Sequence, residues 1–125
     1  IQMPNLPGEN RHLASNFSSE DCVILLSYSG ESKNSYRIAK ILKEQQVPLI
    51  VVTAYPESHI GRLADFILPV SVSESQTIKL STFASQIGID YALNNLFSCL
   101  FVSNYDINLK KRITSEEYFL NDRFV

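Results

Sequence analysis

The chain has 125 residues, enough for one domain with a single apolar core. Hydrophobic residues make up 45% and charged residues 19%, the balance of an ordinary globular domain, which excludes a disordered tail or a charged linker. The net charge of −2 with only one short basic block, Lys110 to Arg112, argues against direct nucleic-acid binding, and no apolar run approaches the ~20 residues that cross a bilayer.

In chain order, Ile1 to Met3 read as the end of a strand, and Pro7 with Gly8 punctuates. Starting without an initiator methionine or a signal-peptide pattern, the chain reads as a piece of something longer. Glu9 to Phe17 is expected to form a short helix with Leu13, Ala14 and Phe17 on one stripe. Ser18 to Asp21 is a polar turn. Cys22 to Leu26 is a strand whose apolar run does not alternate, so both its faces are expected to be covered. Ser32 to Gln46 has helical spacing, with Ile38, Ala39, Ile41 and Leu42 on its apolar side, and Pro48 blocks continuation. Leu49 to Thr53 is a second unalternating strand. Ser58 is a candidate N-cap for a short helix ending at Leu63 or Ala64, and Asp65 to Val70 is a third strand.

A long helix is expected from about Gln76 to Ser103, with Leu80, Phe83, Ala84, Ile87 and Tyr91 at helical spacing. At ~1.5 Å per residue it would outrun a small sheet, and its excess apolar surface calls for a second copy of the chain. Thr114 to Glu117 reads as a capping box that opens a last short helix. The expected organisation is one domain over 1–103 and a polar tail over 104–125. Cys22 and Cys99 belong to no C-x-x-C pair and have no histidine at ligand spacing. They read as buried free thiols in a cytoplasmic protein, with no metal and no cofactor.

Strand, helix, strand, short helix, strand, long helix is the order of an α/β domain. It predicts a three-layer, doubly wound parallel sheet whose ligands lie outside the carboxyl ends of the strands. Ser27 to Ser32, Thr53 to Ser58 and Ser71 to Ser75 all fall at such ends. The first is the most telling. An apolar strand stops abruptly in Ser27, Tyr28, Ser29, Gly30, Glu31 and Ser32, and a helical pattern starts at once. Such a turn brings backbone N–H groups, a helix N-terminus and several hydroxyls to one point, which suits a phosphate group.

Asp21 to Ser32 (D-C-V-I-L-L-S-Y-S-G-E-S) resembles the signature of the sugar isomerase (SIS) domain family of phosphosugar-binding proteins. Val51, Val52 and Thr53, followed by Ser58 to Asp65, are similar to that family's next strand and loop. The resemblance covers about 8–103. Within the family the chain looks most like the C-terminal effector domain of RpiR-type transcriptional regulators, through the Ser-Tyr-Ser-Gly variant, Glu74 and the long helix with Ile89 and Asp90. The family fold begins with an earlier strand and helix whose Gly-rich turn adds a further serine, so the first strand–helix unit is expected to be missing here.

The resemblance implies that Ser27, Ser29 and Ser32 bind the phosphate of a sugar phosphate, aided by backbone N–H groups such as that of Tyr28. Gly30 permits close approach or a positive φ. Local readings remain for each: Ser32 as a plain N-cap, Ser27 as a strand-end hydroxyl bonded to backbone. Glu74 and Thr53 are candidate sugar contacts. Glu31 is expected to face solvent or pair with a neighbour, and His12 and His59 read as surface residues. No acid/base pair stands out, so no catalytic residue is assigned. The resemblance further implies self-association and DNA binding only through a separate N-terminal domain. An aldose–ketose isomerase, or a dimerisation module with a vestigial pocket, are the alternatives.

Overall fold

The computed structural model describes residues 7–70 and 83–121. The chain divides into two units, Ile1–Ala92 and Leu93–Val125. In the first, helix α1 (Pro7–Ala14) precedes strand β1 (Val23–Leu26), helix α2 (Lys33–Glu44), strand β2 (Leu49–Thr53), a 3-10 turn (Gly61–Leu63) and strand β3 (Phe66–Pro69). Helix α3 (Phe83–Ser103) runs from the first unit into the second, which also holds helix α4 (Tyr105–Asn121).

The strands form one parallel sheet in the order β1-β2-β3. Leu25 pairs with Val51, and Val51 with Ile67. The parallel register requires a crossover, and α2 supplies it between β1 and β2. This is the α/β architecture expected from the element order.

Alternate residues of β1 and β2 face α1 and α2. Val23, Leu25, Leu49 and Val51 meet Ala14, Ile38, Ala39 and Leu42 in one core, with Ile60 closing its edge. Leu42, Leu49, Val51 and Ile60 have no exposed surface, and burying each such side chain contributes about 1.5–3 kcal/mol. The opposite face of β1 is different. Ile24 is 43% and Leu26 47% exposed, so among the described residues β1 is covered on one side only. The unbroken apolar run of β1 therefore does not mean two covered faces, whereas β2, the central strand, is closed on both.

Helix α2 stops through backbone geometry rather than glycine. Gln46 adopts φ 58°, its N–H bonds to Lys43 O at 3.1 Å, and the Val47 N–H reaches Leu42 O at 2.9 Å. This Schellman arrangement places Val47 against Leu42 in the core and hands the chain to Pro48 and β2. At this amino end of the sheet Asp65 is doubly engaged. One carboxylate oxygen pairs with the Lys43 ammonium and the other accepts the Leu49 N–H at 2.9 Å.

Two local expectations are corrected. Cys22 and Cys99 are both exposed, not buried: Cys22 precedes the first paired residue of β1, and Cys99 lies on an open side of α3. Thr114 to Glu117 do not open a helix. They lie inside α4, where Thr114 Oγ1 donates to Lys110 O at 3.0 Å, so helical pairing overrides the local capping pattern. The break between α3 and α4 falls at Asn104. There Asn108 Nδ2 donates to Phe101 O at 3.0 Å and Ser103 Oγ to Leu100 O at 2.7 Å, satisfying carbonyls at the end of α3. The expected helical start at 76–82 and the expected strand end at Ile1 to Met3 lie outside the described residues.

Candidate functional site

At the carboxyl end of β1 the chain makes a tight turn before α2. The Ser27 N–H still belongs to the sheet, donating to Val52 O at 3.0 Å. Its carbonyl accepts the Gly30 N–H at 3.1 Å, which closes the turn. Gly30 has φ 68°, and a Cβ built on it would lie 1.8 Å from Ser58 Oγ. Glycine is required there twice, by the left-handed backbone and by the neighbour pressed against it.

Helix α2 then starts at Lys33. Ser32 is its N-cap: Oγ accepts the Ser35 N–H at 3.4 Å, and its carbonyl accepts the Tyr36 N–H at 2.8 Å. Ser29 Oγ accepts the Glu31 N–H at 3.3 Å. In both serines the oxygen accepts, so each O–H remains able to donate. Ser27 is only 7% exposed, and its hydroxyl has no hydrogen-bond partner among the described residues. That hydroxyl is not among the buried unpartnered polar atoms, so its oxygen still reaches solvent and can bond to an incoming group. Three hydroxyl donors and the first N–H groups of α2 thus share one short segment, with the positive end of the helix dipole behind them.

The segment is held from below by the end of β2 and the loop after it. Thr53 is fully buried; its Oγ1 donates to Tyr28 O and accepts the Tyr55 N–H, both at 3.1 Å. The Ala54 N–H also bonds to Tyr28 O, at 3.0 Å, and the Tyr28 and Tyr55 rings meet edge-on with centroids 6.2 Å apart. Thr53 is therefore a buttress behind the turn, and its burial does not fit the sugar contact considered from sequence. Ser58 is 7% exposed, and its Oγ accepts the Gly61 N–H at 3.1 Å. It steadies the loop as expected, although the helix that follows is a single 3-10 turn. The Ile60 N–H reaches Gly30 O at 3.0 Å, stitching that loop to the glycine.

Beside this stitch lies a charged pair. The Glu31 carboxylate accepts the His59 N–H at 3.1 Å through Oε1 and meets His59 Nδ1 at 2.6 Å through Oε2. The backbone bond from His59, then the ring bond, hold the Glu31 carboxyl below the usual carboxylate range; the Arg62 charge adds to this. The two residues are 28 positions apart, so no local pattern could pair them. From sequence Glu31 is expected to face solvent or pair with a neighbour, and His59 to be an ordinary surface residue; the structure gives each the other as partner. The sole hint was glycine placement: Gly30 and Gly61 both sit where a Cβ would collide with this loop, the second 2.1 Å from Pro56 O.

The structure thus brings Ser27, Tyr28, Ser29, Gly30 and Ser32 together on one turn, with Thr53 beneath it. Glu74, Ser71 and Ser75 lie outside the described residues. His12 is exposed on α1 and joins no polar cluster with the turn.

The family model of the SIS domain matches residues 2–97. Arabinose 5-phosphate isomerase KdsD of Escherichia coli K12 is 41% identical over 69 residues, which is 54% of this chain and 21% of that protein. The chain thus spans about a fifth of the length of the curated relatives it matches. The Vibrio vulnificus NanR protein complexed with ManNAc-6P is similar in structure, with a TM-score of 0.84 at 20% identity over 98% of this chain and 46% of that one. The sugar isomerase domain of the RpiR transcription factor from Sphaerobacter thermophilus gives 0.72 at 17% identity, over 94% and 62%. At those identities the two structures speak for the fold.

Proposed function

The chain belongs to the SIS domain family, and from that premise we propose that it binds a sugar phosphate on the Ser27–Ser32 turn as the sensor domain of a transcription regulator. The observation that carries this reading is the unspent donor capacity of the turn. The Ser27 hydroxyl has no protein partner among the described residues, and Ser29 and Ser32 accept from backbone N–H groups while keeping their own protons to give. A phosphate needs several donors at ~2.7–3.0 Å from its oxygens, and neutral donors at a helix start supply them without a lysine or arginine. Gly30 lets the backbone take the shape, and Thr53 with Ser58 keeps it there before any ligand arrives. A contact from Glu74 to the sugar rests on the family resemblance alone.

The regulator assignment is supported by likeness to NanR and RpiR domains over nearly the whole chain. The second unit adds to it. Phe97, Leu100, Val102, Tyr118 and Phe119 are each more than half exposed on α3 and α4. A surface so apolar calls for a covering partner, and a second copy of the chain is the occupant that needs no other molecule. Ligand binding would favour one arrangement of the paired copies, and a separate DNA-binding domain would respond. Such a regulator would work in the cytoplasm.

The identity with KdsD favours a second reading, an aldose–ketose sugar-phosphate isomerase. That chemistry needs a base able to take a proton from carbon. Glu31 is ill suited: its carboxylate is occupied by His59, and its lowered pKa makes it a weaker base. The deciding experiment is calorimetry of the protein against a panel of sugar phosphates, with interconversion followed by NMR. Saturable binding without turnover, weakened at least tenfold by Ser29→Ala with Ser32→Ala, supports the sensor. Turnover that disappears in Glu74→Gln supports the isomerase instead.

A further inference from the structure

The side chains of the Glu31–His59 pair give the anion no donor in the serine turn, although the pair sits on that turn. A carboxylate within a phosphate turn is electrostatically adverse to the anion that turn is meant to receive. Yet Glu31 is tied to the turn: the Ser29 hydroxyl accepts its N–H, and its side chain clasps the backbone and ring of His59. The Ile60 N–H bond to Gly30 O, next to this clasp, brings the His59 loop onto the same residue that shapes the turn. An ionised carboxylate only accepts, so Nδ1 of His59 carries a hydrogen toward Glu31. The second ring nitrogen does not meet Glu31, and the His59 side chain is 77% exposed.

We infer that Glu31 and His59 form a charge-compensated clasp that positions the phosphate turn and makes anion binding depend on the protonation of His59. The inference rests on the reading of Ser27–Ser32 as a phosphate site. With His59 protonated, the pair carries no net charge and the anion meets only donors. With His59 neutral, the pair carries one negative charge beside the site and repels the ligand. Glu31 stays ionised across the range in which a histidine titrates, since its carboxyl is held low by the His59 bonds. The other groups around His59 come from α2 and from its own loop. The Tyr36 ring stands edge-on with its centroid 6.2 Å away. Lys40 lies over Tyr36 at 6.0 Å, and Arg62 is paired with Glu57 at 3.9 Å.

A phosphate monoester changes its own charge near pH 6, so the probe must not titrate. Inorganic sulfate keeps both charges from pH 5.5 to 8.0. Amide NMR of Ser29 to Lys33, with sulfate titrated into the protein at both pH values, reads the effect at the turn. Binding is expected to be about fivefold tighter at pH 5.5 than at 8.0, the size of one screened charge acting on a dianion at short range. His59→Gln should bind equally at both pH values. His59→Lys, with a permanent charge, should bind at pH 8.0 as the unaltered protein does at 5.5. A pH-independent unaltered protein overturns the inference and leaves the anion site standing, and so does a His59→Gln variant that keeps the fivefold ratio. Absence of any saturable shift at either pH in all three proteins overturns the phosphate reading itself, and the clasp with it.

Discussion

At the amino end of the sheet, Asp65 meets Lys43 with one oxygen and the Leu49 N–H with the other, so both its oxygens are engaged by protein. A cleft there is lined by Lys43, Gln46, Val47, Pro48, Asp65 and Phe66, and its charged groups already answer one another. At the carboxyl end, Ser27, Ser29 and Ser32 hold their places as acceptors or without partners and keep donors in reserve. Each end carries polar side chains at the mouth of the sheet. The difference lies in what is left over after folding: charge that is satisfied makes a brace, and neutral donors that are unsatisfied make a receptor. The presence of charged residues is therefore a poor guide to which end binds an anion.

Substitutions at the two ends test that contrast. The largest effect is expected from Gly30→Ala, which forces a β-carbon into Ser58 Oγ at a positive φ. Urea unfolding should show a loss of about 2–4 kcal/mol, and sugar phosphate binding should vanish. Next, Ser29→Ala with Ser32→Ala should lower sugar phosphate affinity by roughly thirtyfold in calorimetry, the loss of two bonds to a charged group. Its cost in stability should stay near ~1 kcal/mol, the value of the N-cap. A double variant that unfolds outright would mean that the turn is a brace like the other end.

Thr53→Val removes the hydroxyl that joins Tyr28 O to the Tyr55 N–H. It should cost about 1–3 kcal/mol in thermal or urea unfolding, with Thr53→Ser recovering most of it. At the amino end, Gln46→Gly should add about 0.5–1 kcal/mol of stability by relieving the positive φ, without touching ligand affinity.

The smallest effect at neutral pH belongs to Asp65→Asn. The Lys43 hydrogen bond, then the Leu49 N–H, hold the Asp65 carboxyl below its ordinary value. A depressed carboxyl stabilises fully above its unfolded pKa of about 3.9 and loses that contribution as pH falls through the folded value. Acid unfolding should therefore be steeper in the unaltered protein than in Asp65→Asn below about pH 4. The difference at pH 7 should remain within ~1 kcal/mol, as for exposed ion pairs generally.

Much of the site could be read from residues close together in the chain. The stop of an apolar run at Ser27, the Ser-x-Ser-Gly spacing and the N-cap at Ser32 are features of a dozen neighbouring residues, and the structure places them on one turn. The parallel sheet followed from the order of strands and helices. The misreadings share one cause. Thr114 to Glu117 has the local chemistry of a helix start, yet helical pairing through Tyr105–Asn121 prevails. Cys22 reads as apolar, but nothing among the described residues covers it. Thr53 reads as a rim hydroxyl because strand alternation cannot say which neighbours will close over it.

Patterns of two, three and four residues act through backbone sterics and neighbouring side chains, so the elements, the left-handed glycine and the serine turn were already written in the order of amino acids. Which hydroxyls remain unspent, and that Glu31 should meet a histidine 28 residues later, depended on how β2 and its loop return beside β1. Such meetings are settled by the packing of the whole sheet, because only there do distant groups compete for the same donors and the same space.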